Sequence, residues 1–158
     1  MKKTDFLSRL IDEKKIQIIE PSENLKNAYL KRSEESLASS KILAGTGNLN
    51  DSIALTYYSM YHSVLALFYR IGLKCENHTA SIILLKGIFG IDTRELEKAK
   101  RERIDNQYYV DFHVTKEELE KMIKVAESFN SEIIGFIDSL NENEITRFRN
   151  KLLLTFNK

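Results

Sequence analysis

One cysteine, one proline, six glycines and no tryptophan are spread over 158 residues. The lone cysteine, Cys75, excludes an intramolecular disulfide and supplies no sulfur cluster for structural zinc, so a reducing cytoplasm is the natural setting. Scarce proline and glycine leave few sharp turns, while plentiful Leu, Ile, Lys, Glu and Ala favour helix. Net charge is nearly absent, with 24 Lys and Arg against 23 Asp and Glu, so nucleic-acid contact has to come from a local patch. The opening MKKTDFLSRLIDEKKIQ is basic at first, but charges interrupt it too soon for the apolar run of a signal peptide. No later stretch approaches an uncharged transmembrane span. The expectation is a soluble, cytoplasmic, all-α domain that does not engage a membrane.

The apolar spacing predicts the helices. Phe6, Leu7, Leu10 and Ile11 form an amphipathic segment that breaks at Ile18-Ile19-Glu20-Pro21. Ser22 suits an N-cap, and Leu25, Tyr29, Leu37 and Leu43 keep one side of a long helix apolar until GTGN at Gly45 to Asn48. Its SLASS stretch is built of small residues, which let a neighbouring helix come close. The next helix, DSIALTYYSMYHSVLALFYRIG, starts near Asn50 or Asp51, is apolar on nearly every side and is expected at the centre. After the loop LKCENH, Thr79 caps ASIILLKGIF. A fourth helix then runs to about Arg103 or Asn106, and QYYVDFHV reads as a loop. Thr115 and Glu118 make a capping box for a long helix to Leu140, and a last helix covers Glu144 to Phe156. These elements make an up-down four-helix bundle with extra helices at both termini. The division is an N-terminal extension over 1–21, a bundle over 22–140 and a C-terminal helix over 141–158.

Chemistry is sparse. A di-iron bundle needs inward glutamates and a Glu-x-x-His pair, which the sequence lacks, and His62, His78 and His113 each have the wrong neighbours, so neither a metal nor another cofactor is expected. Cys75 beside His78 is a thin hint of a nucleophile and base, with an incidental loop cysteine as the plainer reading. GTGN lacks the Lys-Ser/Thr of a phosphate loop. The fourth helix is more informative. Arg94, Lys98 and Arg101 recur at helical spacing, flanked by Lys100 and Arg103, and guanidinium groups suit phosphate. Pairing of Glu97 with Arg101 and complementation of the helix dipole explain the same charges as ordinary surface. His62 reads either as a hydrogen-bonded core residue or as a group in a cleft or dimer interface. ITRFRNKLLLTF has an amphipathic face that either packs on its own bundle or docks a partner.

The stretch from LKRSEESLASS through YYSMYHSVLALFYRIGLKCENHTA, then KRERID and VTKEELEKMIKVAESFNSEI, resembles the HEPN superfamily, and within it the small UPF0332-type proteins. The resemblance covers about Ser22 to Leu140, with Tyr57, Tyr58, Met60, Tyr61, His62, Leu67, Gly72, Leu73, His78, Arg101 and Asp105 in matching places. It implies a dimerising cytoplasmic bundle of prokaryotic origin, often paired with a minimal nucleotidyltransferase in toxin–antitoxin modules. Many members resemble metal-independent RNases in which an arginine, four to six residues and a histidine line a dimer cleft. Histidine there moves the 2′-hydroxyl or leaving-group proton and arginine holds the phosphorane charge. Here the count from Arg101 reaches Asn106, Gln107 and Tyr108, and from Arg103 it reaches Tyr108, Tyr109 and Val110. The expected reading is therefore a homodimeric binding module for RNA or nucleotide, with Arg94, Lys98, Arg101 and Arg103 as phosphate ligands. The competing expectation is a ribonuclease with a degenerate motif. In it Arg101 stabilises phosphate, Asp105 orients Arg101, and His62 or His113 replaces the missing base.

Overall fold

The computed structural model describes residues 3–157. Its helices are α1 (Lys3–Asp12), α2 (Glu23–Gly45), α3 (Leu49–Ile71), α4 (His78–Phe89), α5 (Arg94–Tyr108), α6 (Lys116–Ser139) and α7 (Glu142–Phe156). Two three-residue strands, β1 (Ile16–Ile18) and β2 (Leu73–Cys75), complete the described residues. The protein is an all-α bundle with additional helices at its ends.

Helix α3 is central because its sequence is apolar all round, and Ile53, Tyr57, Val64, Leu67, Phe68 and Ile71 are fully buried along it. Helix α2 lies along it most extensively, followed by α6 and α5. The small residues of α2 explain the closeness of that pair. Ser33 Oγ donates to the Ser59 carbonyl at 2.6 Å, and Ser52 Oγ donates to the Ser40 carbonyl at 2.6 Å, so the two helices exchange hydrogen bonds through buried hydroxyls.

The caps follow local chemistry. Ser22 accepts from the Leu25 N–H, and Thr115 with Glu118 forms the expected capping box. Elsewhere the boundaries move. Asn77, and not Thr79, caps α4 by accepting from the Ala80 N–H, so His78 becomes the first helical residue. Helix α3 begins at Leu49, and α7 begins at Glu142 behind an Asn141–Glu144 capping box. Helix α5 runs on to Tyr108, its last turn tied by Arg103 donating to Gln107 Oε1 at 3.0 Å.

The sequence reading contained no strands. Residues 16–18 pair antiparallel with residues 73–75, with Ile16 opposite Cys75 and Ile18 opposite Leu73. A segment that short takes its structure from a partner far along the chain, not from its own pattern. Helix α7 secures this end of the molecule. Ile145, Phe148 and Leu152 are buried in the main core, and Arg149 donates to the carbonyls of Ile19 at 2.8 Å and Ile71 at 2.7 Å. Gly72 makes that clamp possible. It ends α3 at φ 86°, and a Cβ there would run into the Arg149 guanidinium and the Ile19 carbonyl oxygen.

Candidate anion-binding site

The side of α3 that carries Tyr58 and His62 is not sealed by the core, because α4 and α5 approach it with polar residues. Asn77 fixes the start of α4, which sets the His78 ring against Tyr61 with centroids 3.9 Å apart and within reach of Tyr57. The Tyr57 hydroxyl and His78 Nδ1 are 2.6 Å apart. Burial raises the Tyr57 phenol well above its ordinary range, with neighbouring Tyr61 adding to the effect and Arg103 opposing it. The phenol therefore keeps its proton, and a neutral His78 that accepts it at Nδ1 carries its own proton on Nε2.

Helix α5 brings the cations. The Arg103 guanidinium lies 5.4 Å from the Tyr57 ring centroid and 5.6 Å from that of Tyr58, a cation–π arrangement that holds the group flat. Its Nε is buried and finds no partner among the described residues. Lys100 donates to Thr79 Oγ1 at 2.6 Å, next to His78. His78 is pushed down to about 4, first by burial and then by the charges of Arg103, Lys100 and His62. Lys100 is itself lowered by burial and by Arg103, with Glu97 opposing. His62, half-buried, is lowered by burial and by Arg32, and its Nδ1 also lacks a partner among the described residues. Several groups that carry or can accept positive charge thus converge, and among the described residues neither Arg103 nor Lys100 holds an ion pair. An anion placed there would satisfy the guanidinium, raise the basicity of His78 and meet its Nε2 proton.

The expected site residues divide around this cluster. His62 shares the face, with its ring 6.1 Å from that of Tyr58, and Arg103 is its guanidinium. Arg101 is exposed and, among the described residues, has no ion pair with Asp105 or with Glu97. Asp105 uses its carbonyl to accept the Tyr109 N–H. Arg94 is engaged by Asp92 through its Nε and Nη2 at the start of α5. Lys98 and His113 line a separate cavity of about 320 Å³ between α5 and α6, together with Glu102 and Met122. Burial raises the Glu102 carboxyl there, with Lys98 and Arg101 pulling it back.

The sequence reading did not place Tyr57 or Tyr58 in the site, named Lys100 only as a flank of the basic stripe, and weighed His78 only as a loop residue beside Cys75. One signal was available: Lys100, Arg103 and Gln107 share a face at spacings of three and four. Nothing local indicates that Tyr57 and His78, 21 residues apart, would meet.

The HEPN domain family model matches residues 27–135, more than half of the chain. The chain belongs to the HEPN family. A UPF0332 protein of Pyrococcus horikoshii is 33% identical over 70 residues, covering 44% of this HEPN chain and 49% of that protein. A protein of Methanocaldococcus jannaschii described as a candidate toxin is 29% identical over 109 residues, covering 65% of this chain and 81% of its own length. The alignment therefore spans about half of the first relative and most of the second. In this HEPN domain the matched region contains all of α3, α4 and α5, which are the elements that build the cationic cluster.

Proposed function

We propose that this HEPN domain is a binding module for the phosphate groups of RNA or a nucleotide, working in a prokaryotic toxin–antitoxin system. The observation that carries the reading is the convergence of Arg103 and Lys100 on a neutral His78, neither cation holding an ion pair among the described residues. Arg103 is the anion anchor, Lys100 adds a point charge, and Arg101, exposed on the other side of the same turn, steers the ligand from outside. The module works as a cytoplasmic homodimer beside a minimal nucleotidyltransferase partner. The exposed Tyr108, Tyr109 and Val110 at the end of α5 support dimerisation, since a second copy would cover them. The candidate-toxin relative supports the association with such a system.

A second reading is a metal-independent ribonuclease, favoured specifically by the Tyr57–His78 contact. It unites a histidine and an arginine that the linear spacing keeps apart. In this reading His78 moves the 2′-hydroxyl or leaving-group proton, His62 assists it, and Arg103 stabilises the phosphorane.

The test is binding and cleavage of a mixed RNA pool in excess EDTA by the wild type and by Arg103→Ala, His78→Gln and Arg101→Ala. The binding module predicts intact RNA, affinity lost in Arg103→Ala and affinity only trimmed in Arg101→Ala. Cleavage that disappears in both Arg103→Ala and His78→Gln would establish the ribonuclease. Wild-type affinity in Arg103→Ala would remove both.

A further inference from the structure

Beside the cationic cluster, on the same side of α3, lies a second group of aromatic rings that phosphate binding does not use. Tyr29 of α2 stacks on Tyr69 of α3, with centroids 5.2 Å apart and planes 8° from parallel. Both are half-buried. His62 connects this pair to the cluster, 5.9 Å from Tyr29 and 6.1 Å from Tyr58. Arg32, exposed, lies 5.8 Å from the Tyr29 ring centroid and has no ion pair among the described residues. The charges at the Tyr69 end are paired with one another: Arg70 is held by Glu23 at 2.7 Å, and Glu76 by Lys74 at 2.8 Å. The strip therefore has the cations Arg103 and Lys100 at one end and the Tyr29–Tyr69 ring pair at the other, with His62 and Arg32 between them.

Dimensions decide what such a strip can hold. Tyr58 and Tyr69 lie on one helix, and ~1.5 Å of rise per residue separates them by about 16 Å along its axis. That is about five times the ~3.4 Å step between stacked bases. A single nucleotide would fill the cationic end and leave the ring pair empty. A base-paired duplex would bury its base faces inside the stack and offer these rings nothing. An unpaired strand has both repeating charge and free base faces, the pairing that aromatic and cationic grooves recognise.

We propose that Tyr29, Tyr69 and Arg32 form a base-stacking subsite that extends the anion-binding site, so that the ligand is an unpaired stretch of RNA longer than one nucleotide. The phosphate at Arg103 sets the register, and a base further along the strand lies on the Tyr29–Tyr69 pair. This inference rests on the phosphate reading of the Arg103 cluster.

The experiment is competition for a fluorescein-labelled hexanucleotide RNA, followed by anisotropy. The competitors are adenosine monophosphate, unlabelled hexanucleotide and a fully paired RNA duplex. The proteins are wild type, Arg103→Ala, Arg32→Ala and the double variant Tyr29→Leu with Tyr69→Leu, which keeps apolar bulk at both positions. Wild type is expected to bind the hexanucleotide about tenfold or more tightly than the mononucleotide, since one stacked base contributes about that factor. The double tyrosine variant and Arg32→Ala should each lose hexanucleotide affinity while keeping the mononucleotide affinity of wild type. Arg103→Ala should weaken both ligands. Equal affinity for mononucleotide and hexanucleotide, or for duplex and hexanucleotide, would overturn the subsite. So would tyrosine and Arg32 variants that bind the hexanucleotide like wild type. If those results come with Arg103→Ala still impaired, the phosphate reading survives alone; an unimpaired Arg103→Ala removes both.

Discussion

His78 links the stability of the fold to the proposed function of the site. Its imidazole is pressed down to about 4 by burial, Arg103, Lys100 and His62, whereas an unfolded histidine titrates near 6.5. Between those values the unfolded chain holds the extra proton, so stability rises with pH and is lost as pH falls from 6.5 towards 4. His62 is lowered in the same direction. Melting temperature measured across that window should drop on acidification, and His78→Gln should flatten the slope; an unchanged slope would mean that His78 does not carry it. Anion binding has the opposite sign. A bound phosphate favours the imidazolium, so affinity for a phosphodiester, which has no titration of its own in this range, should increase as pH falls through the raised value of the complex. It should level off near the free value of about 4. At Arg103 the flat guanidinium over Tyr57 and Tyr58 is the feature at stake. Arg103→Lys should keep the charge and still lose most of the affinity, because an ammonium cannot reproduce the fork or the stacking.

At the scale of elements, the ends of helices decide where the site residues stand. Asn77 starts α4 two residues earlier than a Thr79 cap would, and that choice puts His78 on the first turn facing Tyr57. Asn77→Ala should cost about 1 kcal/mol in denaturant unfolding and should weaken anion binding as well, because the histidine loses its anchor. Gly72 and Arg149 play the equivalent part at the other end of α3. Gly72→Ala puts a Cβ into a left-handed residue already in contact with Arg149 and Ile19, and should destabilise by roughly 2–4 kcal/mol. Arg149→Met removes the guanidinium from the Cβ but not the Ile19 carbonyl oxygen or the Pro21 nitrogen, and it leaves the Ile19 and Ile71 carbonyls without their donor, so the double variant should recover only part of the loss. The helical periods and the capping boxes of this chain are legible locally, because each cap is written within four residues. The strand pair is not, since Ile16 meets Cys75 only after α2 and α3 have folded back on each other.

For the whole molecule the near-balance of charge matters, with a formal net charge of +1. On the proposed reading attraction to RNA depends on the few cations of one face, and the salt dependence should be shallow. Two to three phosphate contacts predict a slope of log affinity against log salt of about −1.4 to −2.1 for a single strand. Removing Arg103 should reduce it by about 0.7. A much steeper slope would indicate a larger footprint, such as one continued across a second protomer. Light scattering at micromolar concentration checks that possibility directly, and a monomer mass would count against dimerisation.

What the sequence by itself determined is the class of fold and the presence of a cationic helix. Apolar residues recur at helical spacing, glycine and proline are too few for a loop-rich architecture, and Lys100, Arg101 and Arg103 are adjacent in any helix. The family pattern is equally visible in the linear text around YYSMYHS. Only the tertiary structure decided which of those cations face inward. A turn of 100° per residue sends Arg101 to solvent and Arg103 over the tyrosines. It also decided that the histidine beside Arg103 is His78, supplied by another helix, and that Lys98 and His113 belong to a different cavity. A count along one helix detects only residues within a few turns, whereas this constellation is assembled by packing between α3, α4 and α5.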